Sequence, residues 1–248
     1  MNTVTVITSG KGGVGKSTVT ASLGVALAAR GKRVLLIDCD AGLGSLDHML
    51  GVLEHRVFDI ADVVSGAVEP QKAVYPSAYE PNLFLLSAPS TEEDVVSPEV
   101  MRQLIAVLSR YYDHVLIDSP AGIGQGFLSA AAAAQRALVV ATPDPVCLRA
   151  AARTRQSLQE AGVKQQRLVI NRFSGARFRV QKCYRDLDSV IDAAGIRLIA
   201  VIPEDPVLAA ATLQAQSAPQ TAPGTLAIGR LAARLEGERV PLPAVNRF

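Results

Sequence analysis

A glycine-rich segment near the start of the chain has the residue types and spacing that bind nucleotide phosphates. Residues 10–18 fit the pattern G-x-x-x-x-G-K-[S/T]. Glycines let the backbone bend sharply and bring its N–H groups onto phosphate oxygens, and the N-terminus of a following helix adds a positive dipole. We therefore predict nucleotide contacts along the whole loop: Gly10, Lys11, Gly12, Gly13, Val14, Gly15, Lys16, Ser17 and Thr18.

Two lysines and a serine of this loop are the candidates for its chemistry. Lys16 is placed to reach the β- and γ-phosphates, and Ser17 can offer its hydroxyl to a magnesium ion that bridges them. Lys11 is an extra lysine inside the loop. It is either a solvated charge or a phosphate ligand, in its own subunit or across an interface.

Aspartates follow two further apolar segments. The run Leu35-Leu36-Ile37 leads into Asp38 and Asp40, and the run Val115-Leu116-Ile117 leads into Asp118. Asp118 has the Walker B arrangement and would hold a magnesium-bound water opposite Ser17. We predict that Asp40 lies beside the γ-phosphate, and that Asp38 supports the magnesium-bound waters or the loop lysines. The alternative for either Asp38 or Asp40 is a turn or a helix cap.

Strands and helices alternate around these motifs. The β-branched segment 3–8 precedes the loop as a buried strand, and residues 19–30 follow it as a helix. Further strands are predicted at 34–37, 83–86, 114–117, 137–141, 167–170 and 198–202, and further helices at 98–111, 126–135, 146–161, 184–194 and 225–235. The pattern predicts an α/β chain with a P-loop NTPase fold: a mostly parallel sheet with helices on both faces.

Composition is consistent with one domain over residues 1–248. The chain has 49% hydrophobic residues, no tryptophan and a net charge of +2, so global charge does not indicate nucleic acid binding. Residues 236–248 are expected to form an irregular tail without an evident membrane-targeting helix. Pro241 and Pro243 break helix, so either this chain does not bind a membrane by itself or it is shortened at its C-terminus. Because the predicted first strand begins almost at residue 1, we expect no signal peptide and a cytoplasmic protein.

These motifs resemble the deviant Walker A P-loop ATPases of the MinD/ParA family. The resemblance rests on the loop K-G-G-x-G-K-[S/T], D-S-P-A-G at 118–122, N-R at 171–172 and I-P-E-D at 202–205. It implies that Lys11 reaches the nucleotide of a partner subunit in an ATP-bound homodimer, and that Asp40 orients the attacking water. The predicted catalytic residues are therefore Lys11, Lys16 and Asp40.

The same resemblance implies a base-binding region. Asn171 would hydrogen-bond adenine and Arg172 would lie against it, while Pro203, Glu204 and Asp205 would border the base. Arg172 could instead be a surface charge, and Glu204 a helix cap. The predicted metal ligands remain Ser17, Asp38 and Asp118.

By this resemblance the protein is a slow, regulatory ATPase that uses ATP/ADP and Mg²⁺ and acts as a spatial switch in division-septum placement. MinC- or MinE-like regulators would be its partners, and one of them could hold it at the inner face of the cell membrane. A flagellar-number regulator, a ParA-like DNA-partition ATPase and a nucleotide-binding metabolic or scaffold protein remain as alternatives. Arginines at 149, 153 and 155, and a basic cluster at 172–185, keep DNA binding open, although a solvated basic face is favoured.

Overall fold

A computed structural model describes residues 3–41, 44–91 and 96–242. One eight-stranded sheet has the order β3-β4-β2-β5-β1-β6-β7-β8, and all of its pairings are parallel except that of β3 with β4. The strands are β1 Thr3–Thr8, β2 Val34–Asp38, β3 Val74–Pro76, β4 Leu83–Leu86, β5 His114–Asp118, β6 Arg136–Ala141, β7 Gln165–Phe173 and β8 Leu198–Pro203. The predicted fold class is confirmed.

Ten α-helices lie within the described residues. They are α1 Lys16–Ala28, α2 Ser45–Met49, α3 Ile60–Val64, α4 Pro98–Leu108, α5 Gln125–Ala132, α6 Pro145–Glu160, α7 Gly175–Gln181, α8 Leu187–Ala194, α9 Pro206–Leu213 and α10 Pro223–Leu235. The connection from β1 to β2, through α1, runs towards the β3 end of the sheet. The connections from β5 to β6 and from β6 to β7, through α5 and α6, run towards the β8 end. Because such crossovers are right-handed, they place helices on opposite faces.

The central strands bring the motifs to one edge of the sheet. Every residue of β2 and β5 is buried, as expected for parallel strands covered on both faces. β1 lies between β5 and β6, so the loop after β1 and the aspartates that end β2 and β5 meet at one edge of the sheet.

Several element boundaries differ from the sequence predictions. The helix predicted from residue 184 begins at Leu187, because the Asp186 carboxylate accepts from the backbone N–H of Ser189 and caps it. The helix predicted at 98–111 ends at Leu108 and continues as a 3₁₀ turn. Six short elements were not predicted: α2, α3, a 3₁₀ helix at Pro70–Ala73, β3, α7 and α9.

The C-terminal segment after α10 forms neither helix nor strand over residues 236–242, and the predicted tail residues 243–248 lie outside the described part. Glu236 pairs with Lys32 at 2.6 Å, and Glu238 pairs with Arg30. The Arg234 guanidinium donates to the carbonyls of Val240 and Pro241. Among the described helices, none combines the length and hydropathy that crossing a bilayer requires.

Candidate nucleotide-binding site

The glycine-rich loop joins β1 to the N-terminus of α1 and opens onto a cavity of about 460 Å³. Gly13 and Gly15 have φ values of 79° and 86°, a region that glycine adopts without steric cost. Loop residues line one side of the cavity, and Asp40, Ala121 and Arg172 line other parts of it. Backbone N–H groups and the α1 dipole therefore face a space of the size that small ligands occupy.

Two loop glycines are packed too closely for any side chain. A Cβ on Gly10 would lie 2.5 Å from the backbone of Ala150 in α6, and one on Gly15 would lie 2.5 Å from the Nδ2 atom of Asn171. The loop is therefore held by α6 at its start and by β7 near its end.

A buried ion pair forms the floor of the site. Lys16 Nζ lies 2.8 Å from Asp118 Oδ2, with only 7% and 0% of the two side chains exposed. The Ser17 hydroxyl donates to the same oxygen at 2.6 Å. These contacts unite the loop with the end of β5. The direct pairing of Lys16 with Asp118 was not predicted, and the phosphate and magnesium roles of the three residues remain predictions.

Thr20 is a participant that sequence reasoning missed. Its hydroxyl is fully buried and donates to Asp118 Oδ1 at 2.7 Å. Together with Ser17 it engages both carboxylate oxygens. Thr20 lies just beyond the loop pattern, on α1, and its only signal is its place one helical turn after Lys16.

Asp38 lies beside Asp118 on the neighbouring strand. It accepts hydrogen bonds from the backbone N–H groups of Asp40 and Leu46, at 2.9 and 3.3 Å. Burial, reinforced by the nearby Asp118 carboxylate, raises the pKa of Asp38 to about 7. Asp38 therefore holds the turn after β2 and the start of α2, as in the cap alternative, and its metal role remains a prediction.

Asp40 lines the cavity, as its predicted role requires. Burial raises the pKa of this carboxyl group, and the neighbouring Lys16 opposes the shift. Residues 42 and 43, which follow shortly after Asp40 in the sequence, lie outside the described residues.

Lys11 is exposed and does not line the cavity of its own chain. It lies close enough to Asp144, the N-cap of α6, to favour the ionised form of that carboxylate. The pKa of Asp144 is lowered because hydrogen bonds from Thr142 and Cys147, with a contribution from Lys11, outweigh the effect of burial.

The segment after Asp118 is tied to β1 and to the loop. The backbone N–H of Ser119 donates to Ile7 O at 3.1 Å, and that of Gly122 donates to Ser9 O at 3.0 Å. Pro120 and Ala121 line the cavity between these two bonds. A movement of this segment would therefore displace the backbone at the start of the glycine-rich loop or break these hydrogen bonds.

The predicted base-binding residues are only partly brought to the cavity. Arg172 lines it, and the Asn171 side chain donates to Val14 O at 2.8 Å. Glu204 instead pairs with Arg177 at 2.8 Å. The Asp205 carboxylate accepts from the N–H groups of Val207 and Leu208 through one oxygen and of Gly224 through the other.

Asp205 thus caps α9 and anchors the start of α10, while Glu204 forms no cap. Pro203, which ends β8, does not line the cavity either. The nucleotide contacts predicted for these three residues remain predictions.

The oxygen donors of the site suit magnesium. Ser17 and Asp118 offer a hydroxyl and a carboxylate, which are the hard ligands that Mg²⁺ prefers, and they lie 2.6 Å apart. The described residues contain no cluster of three or more His, Cys, Asp and Glu side chains placed to hold a metal ion. The residues present therefore fit an ion that keeps waters and shares its coordination with phosphate oxygens.

Comparison with known proteins places this geometry in a family. The ParA family model, described as an NUBPL iron-transfer P-loop NTPase, matches residues 1–228. The septum site-determining protein MinD of Thermotoga maritima is 39% identical, over 98% of this chain and 91% of that protein.

Two solved structures are similar over nearly the whole chain. One is a MinC:MinD cell division protein complex from Aquifex aeolicus (TM-score 0.87, 35% identity, 98% of both chains). The other is MinD from Pyrococcus horikoshii with Mg-ADP (TM-score 0.85, 31% identity, 95% of this chain and 96% of that one). The buried Lys16–Asp118 pair, the cavity above it and these likenesses show that the chain belongs to the ParA family of P-loop NTPases and, within it, to the MinD ATPases.

Proposed function

We propose that this protein is an ATP-hydrolysing switch in division-site placement, and that ATP joins two copies of it into a dimer. The MinD relatives are named for septum-site determination, and one similar structure contains Mg-ADP. The observation that carries the proposal is the contrast between two lysines: Lys16 is buried against Asp118, whereas Lys11 is exposed and does not line the cavity of its own chain.

The residues of the chain have distinct roles in hydrolysis. Lys16 exchanges part of its interaction with Asp118 for the phosphate oxygens, and Asp40 orients the attacking water. Ser17 would hold Mg²⁺ directly, and Asp118 would hold it through water. The bound ion neutralises charge between the β- and γ-phosphates. Thr20 keeps Asp118 in place, because its hydroxyl donates to Oδ1, whereas Lys16 and Ser17 contact Oδ2.

Lys11 then acts across the dimer interface. A lysine that is exposed in one copy gains a phosphate partner only when the second copy brings its nucleotide close. Dimerisation is therefore coupled to the presence of the γ-phosphate, and hydrolysis releases the two copies.

The decisive experiment measures the mass of a hydrolysis-impaired Asp40→Ala variant by size-exclusion chromatography with light scattering. With ATP and magnesium we expect about twice the chain mass of 26.1 kDa, and with ADP the mass of a single chain. A mass that does not depend on the nucleotide would contradict the proposal and favour a metabolic or passive nucleotide-binding protein.

Partner recruitment follows from the same switch. The Aquifex aeolicus relative was solved with MinC, and we propose that the ATP-bound dimer binds a MinC-like regulator, through which it is held at the inner face of the cell membrane. Co-sedimentation of purified MinC with the Asp40→Ala variant should require ATP. MinC binding that is equal with ADP would argue against nucleotide-controlled recruitment.

A DNA-partition ATPase remains the second candidate, because one face is basic. Arg149, Arg153, Arg179 and Lys182 are exposed, and no carboxylate of the described residues lies within ion-pair distance of them. Non-specific DNA binding through such contacts weakens steeply with salt. ATP-dependent sedimentation with DNA that is lost between 50 and about 200 mM salt would favour this candidate.

A further inference from the structure

A second cavity, of about 440 Å³, lies between α1, α9 and α10. The part of α1 that lines it begins at Ala21, after the turn that carries Lys16 and Thr20. Its volume is close to that of the phosphate cavity and falls within the range of small-ligand sites. The proposed nucleotide chemistry does not use any residue that lines it.

The cavity exists because small side chains face one another across the α1–α10 packing. Ala26 and Ala29 of α1 and Gly229 and Ala233 of α10 all line it. A Cβ built on Gly229 would meet no atom within 4 Å. Close packing normally removes voids of this size. Here the small side chains leave apolar walls with open space between the two helices.

The walls are apolar, and the charges around them are positive. Val25, Leu208 and Leu226 contribute the larger apolar surfaces, while Arg30 and Arg230 are the charged residues of the lining. Arg30 is paired with Glu238. Arg230 is exposed, and no carboxylate of the described chain lies within ion-pair distance of it.

An unused polar group also lies in this wall. The hydroxyl of Thr225 is buried and has no hydrogen-bond partner among the described residues. A buried hydroxyl without a partner is costly, so contacts within the described chain do not fully satisfy this wall.

We propose that this cavity binds a free, single-chain amphiphile with a carboxylate head, such as a fatty acid. The acyl chain occupies the space between α1 and α10, and Arg230 holds the carboxylate at the mouth. This inference is independent of the division-site role, because it rests on a different part of the molecule. Since α1 begins at the glycine-rich loop, the ligand also contacts the helix that carries Lys16 and Thr20.

The test is calorimetric titration of the full chain with dodecanoate below its micelle concentration. Dodecyltrimethylammonium, with the same chain and the opposite charge, is the comparison ligand. We expect one saturable dodecanoate site per chain and binding of the cation at least about tenfold weaker.

Two pairs of variants locate the site. Gly229→Leu places a side chain in the open space and should weaken dodecanoate binding by about tenfold or more, whereas Gly229→Ala should change it by less than about threefold. Arg230→Gln should remove the preference for dodecanoate over the cationic ligand, whereas Arg110→Gln, at an exposed arginine outside the cavity, should keep it.

Circular dichroism and thermal unfolding establish that each variant is folded before titration. The proposal is overturned if dodecanoate shows no saturable binding, if it binds the folded Gly229→Leu variant with unchanged affinity, or if wild-type protein binds both ligands equally.

Discussion

The Asn171 side-chain amide donates a 2.8 Å hydrogen bond to the carbonyl of Val14, 157 positions earlier in the chain. This bond fastens the glycine-rich loop to the end of β7. One N–H of Nδ2 is used by the loop, so the other N–H and the amide oxygen remain for the adenine contact that the family resemblance implies. Asn171 is therefore a positioning residue for the loop, whatever its contact with the base.

Asn171→Ala should destabilise the protein and weaken ADP binding together. Removing the donor leaves the buried Val14 carbonyl without its partner, which costs about 1–3 kcal/mol of the free energy of unfolding. Urea unfolding and ADP titration measure the two effects. Asn82→Ala, at an exposed position, is the control, and equal behaviour of the two variants would show that the bond does not position the loop.

Thr20→Val should lower stability more than Thr20→Ser. Valine keeps the shape of threonine but removes the donor to Asp118 Oδ1, whereas serine keeps the hydroxyl. We expect a loss of about 1–3 kcal/mol in the free energy of unfolding for valine, together with a lower kcat. If the valine and serine variants unfold at the same urea concentration, the hydroxyl contributes nothing to holding Asp118.

Lys11→Ala should abolish the ATP-dependent dimer while leaving ADP affinity nearly unchanged. An exposed lysine that does not line its own cavity adds little to binding within one chain. Light scattering with ATP and magnesium measures the first effect, in an Asp40→Ala background, and ADP titration measures the second. Lys164→Ala, at another exposed lysine, should dimerise normally. A large loss of ADP affinity in Lys11→Ala would place this lysine in its own site instead.

Stability should decrease as the pH falls below about 6.5, partly through His114. This ring is buried, its Nε2 lies 2.6 Å from Glu236 Oε1, and its Nδ1 has no partner among the described residues. Burial lowers the pKa of His114, assisted by the charges of Arg136 and Lys32, although Glu236 opposes the shift.

The folded state therefore keeps the ring neutral at a pH where the unfolded chain binds a proton. In that window the unfolded state holds more protons, so the free energy of unfolding increases with pH. The contribution of His114 to stability is therefore lost as the pH falls below about 6.5. His114→Gln should flatten this dependence between pH 7 and about 5.5, as measured by urea unfolding, while His55→Gln, at an exposed position, should leave it intact. An unchanged slope in His114→Gln would exclude His114 as its source.

The sequence was sufficient for motifs whose residues are close together in the chain. Gly10–Thr18, the strand before it and the aspartate at the end of β5 were predictable because strand periodicity and loop chemistry are local. The placement of Asp118 opposite Ser17 could be predicted because the carboxyl ends of parallel strands share one edge of the sheet.

Contacts between distant elements could not be predicted in the same way. Thr20 belongs to no motif, and its partner is 98 positions away. The bond from Asn171 to Val14 depends on the order of the strands, which no local pattern specifies. The capping of α9 by Asp205 and its bond to the start of α10 were likewise not predicted. Short helices such as α2 and α3, of five residues each, carry too little periodicity to be recognised.

The contacts of Gly10 with Ala150 and of Gly15 with Asn171 have a consequence for biosynthesis. The loop occupies residues 10–18, but the surfaces that shape it belong to α6 and β7, which leave the ribosome much later. At a synthesis rate of about 5–20 residues per second, the loop is made many seconds before α6 and β7. A nascent chain released before β7 therefore carries the complete phosphate-binding sequence but not the pocket, and nucleotide capture becomes a late event in the maturation of each molecule.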